Sequence, residues 1–277
     1  MNPKLLLEQY GIMPKKQLGQ NFLHDPNALE KIVATAEIEP GEWALEVGPG
    51  LGALTEVLAL RAARVIAVEI DERFAPVLEM RLGGYPNVAV LYEDFLTTYL
   101  PGVIGDHPYV VVANVPYYIT SAILRHVLET RYRPRRVVMT MQLEVAERLV
   151  TKPDSGEMSL LAVSVQFYAR PQIVTRFKPA VFYPRPDVDS AVVRLDPYPT
   201  PPVDVPSDGL FFEVVRAGFS QKRKQLKNAV GDGLGIGAES AGTLITRAGV
   251  DPRRRAETLA LDEWAAIARA WAADKPT

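Results

Sequence analysis

The sequence predicts an α/β protein: a mainly parallel sheet covered by crossover helices, followed by a small all-helical region. Two observations predict it. Short apolar, β-rich runs alternate with runs of helical length from residue 43 to about residue 150. Alternation at this spacing means parallel strands joined by crossover helices. A proline-rich stretch near residue 200 then separates this pattern from one that is helical to its end.

WALEV (43–47), RVIAVEI (64–70), NVAVLY (87–92), YVVVAN (109–114) and RRVVMTM (135–141) read as strands. Their valine-rich character fits a sheet buried on both faces. Residues 51–60, 72–81, 120–129 and 142–150 read as the helices between and after them. MSLLAVSVQFYA (158–169) fits either state, and its length favours helix. PQIVTRFK (171–178) and SAVVRLD (190–196) read as two closing strands. PYPTPPVDVP (197–206) holds five prolines in ten residues, which excludes regular helix or central strand and leaves an extended linker. Helical patterns follow over 209–230, 237–249 and 258–273. The expected organisation is a catalytic domain over 1–200 and a helical domain over 201–277. Residues 1–15 are open between order and disorder.

Composition narrows the chemistry. The chain of 277 residues has no cysteine, so thiolate catalysis and disulfides are excluded. His24, His107 and His126 are scattered, without metal-ligand spacing, and no metal is expected. No apolar run reaches membrane-spanning length, and no signal peptide is read at the start. Net charge is −2, yet three basic clusters stand out: Arg131, Arg133, Arg135 and Arg136; Arg216, Lys222, Arg223, Lys224 and Lys227; and Arg253 to Arg255. Each is either a solvated face or a phosphate-binding patch.

The strand ends carry the candidate site. Strand 43–47 runs into Gly48-Pro49-Gly50-Leu51-Gly52, a turn that lets a ligand approach the backbone beside a helix N-terminus. With Ala53 it also satisfies the dinucleotide pattern G-x-G-x-x-A. Glu69 ends the second strand about twenty residues later, where a carboxylate can accept both ribose hydroxyls. Asp94 follows the third strand and precedes Phe95, a pair suited to an adenine's amino group and face. Acids at strand ends also serve as helix caps, so it is the set of three that describes a nucleoside site. After the fourth strand comes Asn114-Val115-Pro116-Tyr117-Tyr118. The Asn114 side-chain oxygen and the Val115 carbonyl are acceptors, Pro116 fixes the turn and lacks an N–H, and Tyr117 offers a stacking face. Two acceptors and a ring suit an exocyclic amine on a planar base. The alternative is an Asx-type turn with an aromatic in the core.

EVGPGLG (46–52), the acids at 69 and 94 and NVPYY (114–118) resemble the class I, Rossmann-like S-adenosylmethionine-dependent methyltransferases that modify adenine N6. KKQLGQNFLHD (15–25) and VFYPRPDVDSAVVRL (181–195) are similar to motifs of the ribosomal RNA adenine dimethyltransferases. RAGFSQKRKQLKNAV (216–230) and RRRAETLALDEW (253–264) resemble the helical region of members acting on small-subunit rRNA. The resemblance spans nearly the whole chain. It implies S-adenosylmethionine as methyl donor and two adjacent adenosines in the 3′-terminal hairpin of small-subunit (16S) rRNA as target. Gln20, Asn21 and Leu23 would border the donor's methionine end, and the Gly48 backbone would approach its amino-acid part, with Glu46 and Gly50 also among the donor-binding residues. Glu69 would bind the ribose, and Asp94 and Phe95 the adenine. Asn114 would sit at both donor and target, holding the target N6 with the Val115 carbonyl on the Pro116 turn. Tyr117 and Phe182 would sandwich the flipped base. The second residue of NVPY is often leucine in relatives, and valine leaves the carbonyl unchanged. The expected partner is rRNA within an immature small ribosomal subunit, met by a cytoplasmic monomer away from membranes. Rival readings are a large-subunit rRNA methyltransferase of the antibiotic-resistance type, an NAD-dependent oxidoreductase using the glycine turn, and a ribosome-assembly binding factor.

Overall fold

A computed structural model describes residues 2–15, 19–130, 132–221 and 223–275; the side chains of Tyr117 and Asp154 lie outside the description. The chain divides into two compact units, residues 1–146 with 170–197, and residues 147–169 with 198–277.

The first unit opens with α1 (Pro3–Gln9), a short helix capped by the Asn2 side chain, with Leu6 and Leu7 buried. Then come β1 (Phe22–Leu23) and α2 (Pro26–Ala36). Asp25 caps α2 by accepting from Ala28 N at 2.9 Å, and Pro26 fits its first turn, where no N–H is needed. Next in order are β2 (Trp43–Val47), α3 (Ala53–Ala59), β3 (Arg64–Glu69), α4 (Ala75–Leu82), β4 (Val88–Tyr92), α5 (Leu100–Ile104), β5 (Tyr109–Asn114), α6 (Thr120–Leu128), β6 (Arg136–Gln142) and α7 (Leu143–Leu149). After α8 (Leu160–Tyr168) come β7 (Ala169–Phe177), β8 (Phe182–Tyr183) and β9 (Ser190–Pro197).

Seven strands form one sheet in the order β4-β3-β2-β5-β6-β9-β7. The pairs from β4 to β6 are parallel, and β9 runs antiparallel to β6. Val110, Val111 and Val112 of β5 are fully buried, as a central strand covered on both faces requires. Val47 of β2 stands beside Val68 of β3 and Ala113 of β5. The strands therefore end level with one another, and the loops after them share one edge of the sheet. A separate two-stranded ribbon pairs Leu23 of β1 with Phe182 of β8.

The second unit holds α8, α9 (Asp208–Phe219), α10 (Leu226–Leu234), α11 (Gly237–Arg247) and α12 (Leu261–Asp274). Phe167 stacks on Phe211 at 4.5 Å and meets Phe212 edge-on, joining α8 to α9. Gly218 packs so tightly on Trp264 that a Cβ there would lie 2.3 Å from the indole.

The helix predicted over 209–230 is two helices, broken between Ser220 and Gln225. The first amides of α10 find partners outside a helix: Leu226 N donates to Arg254 O at 2.7 Å and Lys227 N to Pro252 O at 3.1 Å. With those amides satisfied, α10 folds back on α9 and buries Leu226, Ala229 and Val230. The segment 158–169 is helical over α8, and this stretch belongs to the helical unit.

Candidate active site

The turn after β2 is shaped by sterics as much as by φ. Gly48 and Gly50 have φ of 70° and 55°, a region costly for other residues. A Cβ on Gly48 would sit 3.3 Å from Val115 Cγ1, and one on Gly50 would sit 3.1 Å from the Phe22 ring. The glycine turn thus touches the asparagine turn on one side and the ribbon on the other.

Glu69, at the end of β3, is held by two amides. Its Oε2 accepts from Gly50 N and its Oε1 from Asp71 N, each at 2.9 Å. Each oxygen keeps lone-pair capacity for a ribose hydroxyl. Burial raises its pKa, offset in part by those same amides.

Asp71 is a residue that motif reading misses. Its Oδ2 accepts from Gln20 Nε2 at 3.0 Å, and Arg73 grips both carboxylate oxygens at 2.8 and 2.6 Å. Arg73 also donates to the Met13 carbonyl at 3.2 Å, and Gln20 Oε1 accepts from Lys15 N. The Arg73 guanidinium brings the Asp71 carboxyl down to about 2. Gln20, expected at the donor's methionine end, lines the cavity with its amide bonded at both ends, so it places the N-terminal residues beside Glu69. The available signal was an acid two residues from Glu69 followed by an arginine.

Asp94 Oδ1 accepts from Leu96 N at 2.9 Å, forming an Asx turn. Its Oδ2 makes no hydrogen bond among the described residues. Phe95 is buried beside it, edge-on to His126 at 5.2 Å. Asn114 ends β5, in register with Thr140 of β6. Its Nδ2 donates to the Asn21 carbonyl at 3.5 Å, which leaves Oδ1 free to accept. Pro116 packs under the N-terminal turn, where a Cβ on Gly19 would lie 3.1 Å from its Cβ. The stacking role expected of the Tyr117 side chain lies outside the described residues.

One cavity of the first unit collects these groups. Gln20, Asn21 and Leu23 line it from the N-terminal segment, and Glu46, Gly48 and Gly50 from β2 and its turn. Glu69, Asp94 and Phe95 follow from the next two strand ends, and Asn114, Val115 and Pro116 from β5. Phe182 closes the set from the ribbon. It is only 2% exposed, so stacking against it takes place inside the cavity.

Glu46 is 1% exposed, and among the described residues neither its Oε2 nor the buried Thr55 Oγ1 makes a well-formed hydrogen bond, although the Thr55 hydroxyl is near enough to favour the charged carboxylate. Burial pushes the Glu46 carboxyl up to about 8, with the charge of Glu69 adding to the rise. The folded carboxyl then keeps its proton to about pH 8, whereas the unfolded one releases it near 4.5. The folded state binds more protons across that window, so stability falls as pH rises through it. The Glu46→Gln variant cannot ionise, so its melting temperature should gain on the wild type from pH 5 to 8 and hold that gain above. Thermal melts of the ligand-free protein check this; parallel curves would mean that Glu46 ionises normally.

The basic clusters separate once their partners are seen. Arg135 binds Glu42 at 2.8 and 2.7 Å, and Arg136 binds Glu37 and Asp196 at 2.6 and 2.9 Å. Arg133 donates to the Leu128 carbonyl, and Arg131 lies outside the described residues. Arg253 and Arg255 pair with Asp251 and Glu257, while Arg254 pairs with Glu263. Both clusters are engaged in ion pairs within the chain. Arg216, Arg223, Lys224 and Lys227 form no ion pair among the described residues; Lys222 lies outside them. No group of acids and histidines able to hold a metal occurs among the described residues.

A sheet of this order, with a glycine turn and two acids at successive strand ends, defines a class I S-adenosylmethionine-dependent methyltransferase. The sequence profile of the ribosomal RNA adenine dimethylases matches residues 13–273, and the chain belongs to that family. It is 45% identical over 262 residues to a protein from Dehalococcoides mccartyi (strain CBDB1) named ribosomal RNA small subunit methyltransferase A, covering 94% of this chain and 89% of that one. A protein of the same name from Geobacillus kaustophilus (strain HTA426) is 44% identical, covering 97% and 94%. Among solved structures, the 23S rRNA methyltransferase ErmE superposes with a TM-score of 0.70 at 31% identity, over 90% of this chain and 99% of that one. A dimethyladenosine transferase from Plasmodium falciparum gives 0.74 at 26%, over 89% and 95%.

Proposed function

We propose that this chain transfers methyl groups from S-adenosylmethionine to N6 of two adjacent adenosines in the 3′-terminal hairpin of small-subunit rRNA, two to each. The observation that carries this reading is the meeting of the glycine turn and the Asn114 turn at one cavity, with Val115 against Gly48. The residues fit the donor. The glycine turn offers bare backbone, Glu69 a fixed carboxylate, Asp94 a free oxygen beside Phe95, and Glu46 a buried oxygen without a well-formed hydrogen bond.

S-adenosylmethionine, when bound, supplies an electrophilic methyl on a sulfonium. The chain's task is to present the amine. Adenine N6 is a poor nucleophile because its lone pair is delocalised into the ring. Asn114 Oδ1 and the Val115 carbonyl would accept from its two N–H groups and favour a pyramidal nitrogen with an exposed lone pair. In-line placement then carries most of the rate, and the proton that N6 loses at each transfer passes to solvent. A base within a helix cannot reach this cavity, so the target must be unpaired or flipped.

The curated relatives at 43–45% identity carry the small-subunit name, which favours that target over large-subunit rRNA. Asn114 and Phe182 at the cavity favour methyl transfer over nicotinamide chemistry or binding alone. We place the substrate in an immature small subunit, met by a cytoplasmic monomer. No helix among the described residues is long and apolar enough to cross a membrane.

Arg216, Arg223, Lys224 and Lys227 are the cations we assign to RNA phosphates, since Arg135, Arg136 and Arg254 are already paired. Replacing Arg223 and Lys224 together by alanine should weaken RNA binding and reduce the slope of log affinity against log salt by about 2. Equilibrium binding at several salt concentrations checks it, and an unchanged slope would remove these residues from the interface.

The deciding experiment is methyl transfer from labelled S-adenosylmethionine to immature small subunits lacking the modification, followed by nucleoside analysis. Dimethyladenosine in the 3′-terminal hairpin is expected. Its absence, with the donor still bound, would redirect the search to large-subunit rRNA.

A further inference from the structure

We infer that Tyr118 is the platform on which the base next to the target adenosine stacks, an inference that rests on the reading of two adjacent adenosines as substrate. Five aromatic residues with described side chains line the cavity. Phe22, Phe74, Phe95 and Phe182 are each 9% exposed or less, whereas Tyr118 is 64% exposed. Tyr118 belongs to the helical turn Tyr117–Ile119, which follows Asn114, Val115 and Pro116 directly. Its ring is backed by the N-terminal turn: a Cβ on Gly19 would stand 3.8 Å from Tyr118 Cδ1. Its hydroxyl makes no hydrogen bond among the described residues. The chain therefore holds an open aromatic face at the rim of the cavity, on the same turn that would hold the amine.

RNA connectivity supplies the occupant. While one adenine is inside the cavity, its neighbour is one covalent step away and must lie at the mouth. Stacking reads a π face and ignores the hydrogen-bonding edge. Such a platform accepts the neighbouring adenine before and after that base has itself been methylated, as a substrate with two targets requires. Tyr118 would thus hold the RNA in place for the transfer without touching the reacting atoms.

The test pairs a protein change with an RNA change in the full-length enzyme. Tyr118→Ala and Tyr118→Phe are assayed on the hairpin with both adenosines, and on the same hairpin with one adenosine made abasic. Tyr118→Ala should raise KM for the intact hairpin about tenfold, with kcat and S-adenosylmethionine affinity unchanged. Tyr118→Phe should restore KM, and on the abasic hairpin wild type and Tyr118→Ala should coincide. An equal loss on both RNAs, or none on the intact one, would overturn the platform while leaving the methyltransferase reading intact. A wild-type enzyme that methylates neither RNA nor immature subunits would overturn both. Loss of donor affinity in Tyr118→Ala would mark the residue as structural and also reject the platform.

Discussion

Asn114→Ala is expected to lower methyl transfer by about 10²–10³-fold, the scale seen when one positioned group at a developing charge is removed, while donor affinity changes little. The side chain would supply one of two acceptors to the target amine, and alanine leaves only the Val115 carbonyl. Asn114 Nδ2 also donates to the Asn21 carbonyl, but that bond is long at 3.5 Å, so its loss should cost little stability. Single-turnover methylation at saturating donor and RNA measures the rate, and calorimetry measures the donor. A loss of donor affinity as large as the loss of rate would show that Asn114 serves the donor rather than the amine.

Phe182→Ala should destabilise the fold by about 3–5 kcal/mol, the usual cost of emptying a buried aromatic site. Phe182 is among the largest fully buried side chains and packs with Leu23, Leu29 and Val192. It also lines the cavity, so alanine confounds packing with stacking. Phe182→Leu separates them, because leucine fills much of the volume but has no ring. Urea unfolding should show most of the stability restored in Phe182→Leu, with methylation still well below wild type. Full activity in the leucine variant would reduce Phe182 to packing.

The central strands were legible because their burial is written in valine: Val110 to Val112 can only be a covered strand, and the strand ends then place Gly48, Glu69, Asp94 and Asn114 on one edge. Some features depend on residues far apart in the chain, and these were hidden. The break after Ser220 exists because carbonyls of Pro252 and Arg254 satisfy the amides of α10. Arg135 and Arg136 read as a basic patch, yet their acids lie more than ninety positions earlier, at Glu42 and Glu37. Gln20 lines the cavity as expected of a donor-binding residue, but its bond to Asp71, fifty-one positions later, is a long-range pairing that its own motif does not announce. The protonation of Glu46 follows from burial between Ala67 and Val112, a fact of the assembled sheet.

The two turns that would face donor and amine continue β2 and β5, neighbours hydrogen-bonded in register up to Val47 and Ala113. Their separation is inherited from the sheet, where adjacent strands stand about 4.8 Å apart. The sheet acts as a gauge block between the two reactants: backbone hydrogen bonds between β2 and β5, not the loops, set the distance from which the two turns start. The second methyl must be accommodated at the same setting as the first. After the first transfer the methylamino group would have to turn about the C6–N6 bond, at a cavity wall that Val115 helps to form.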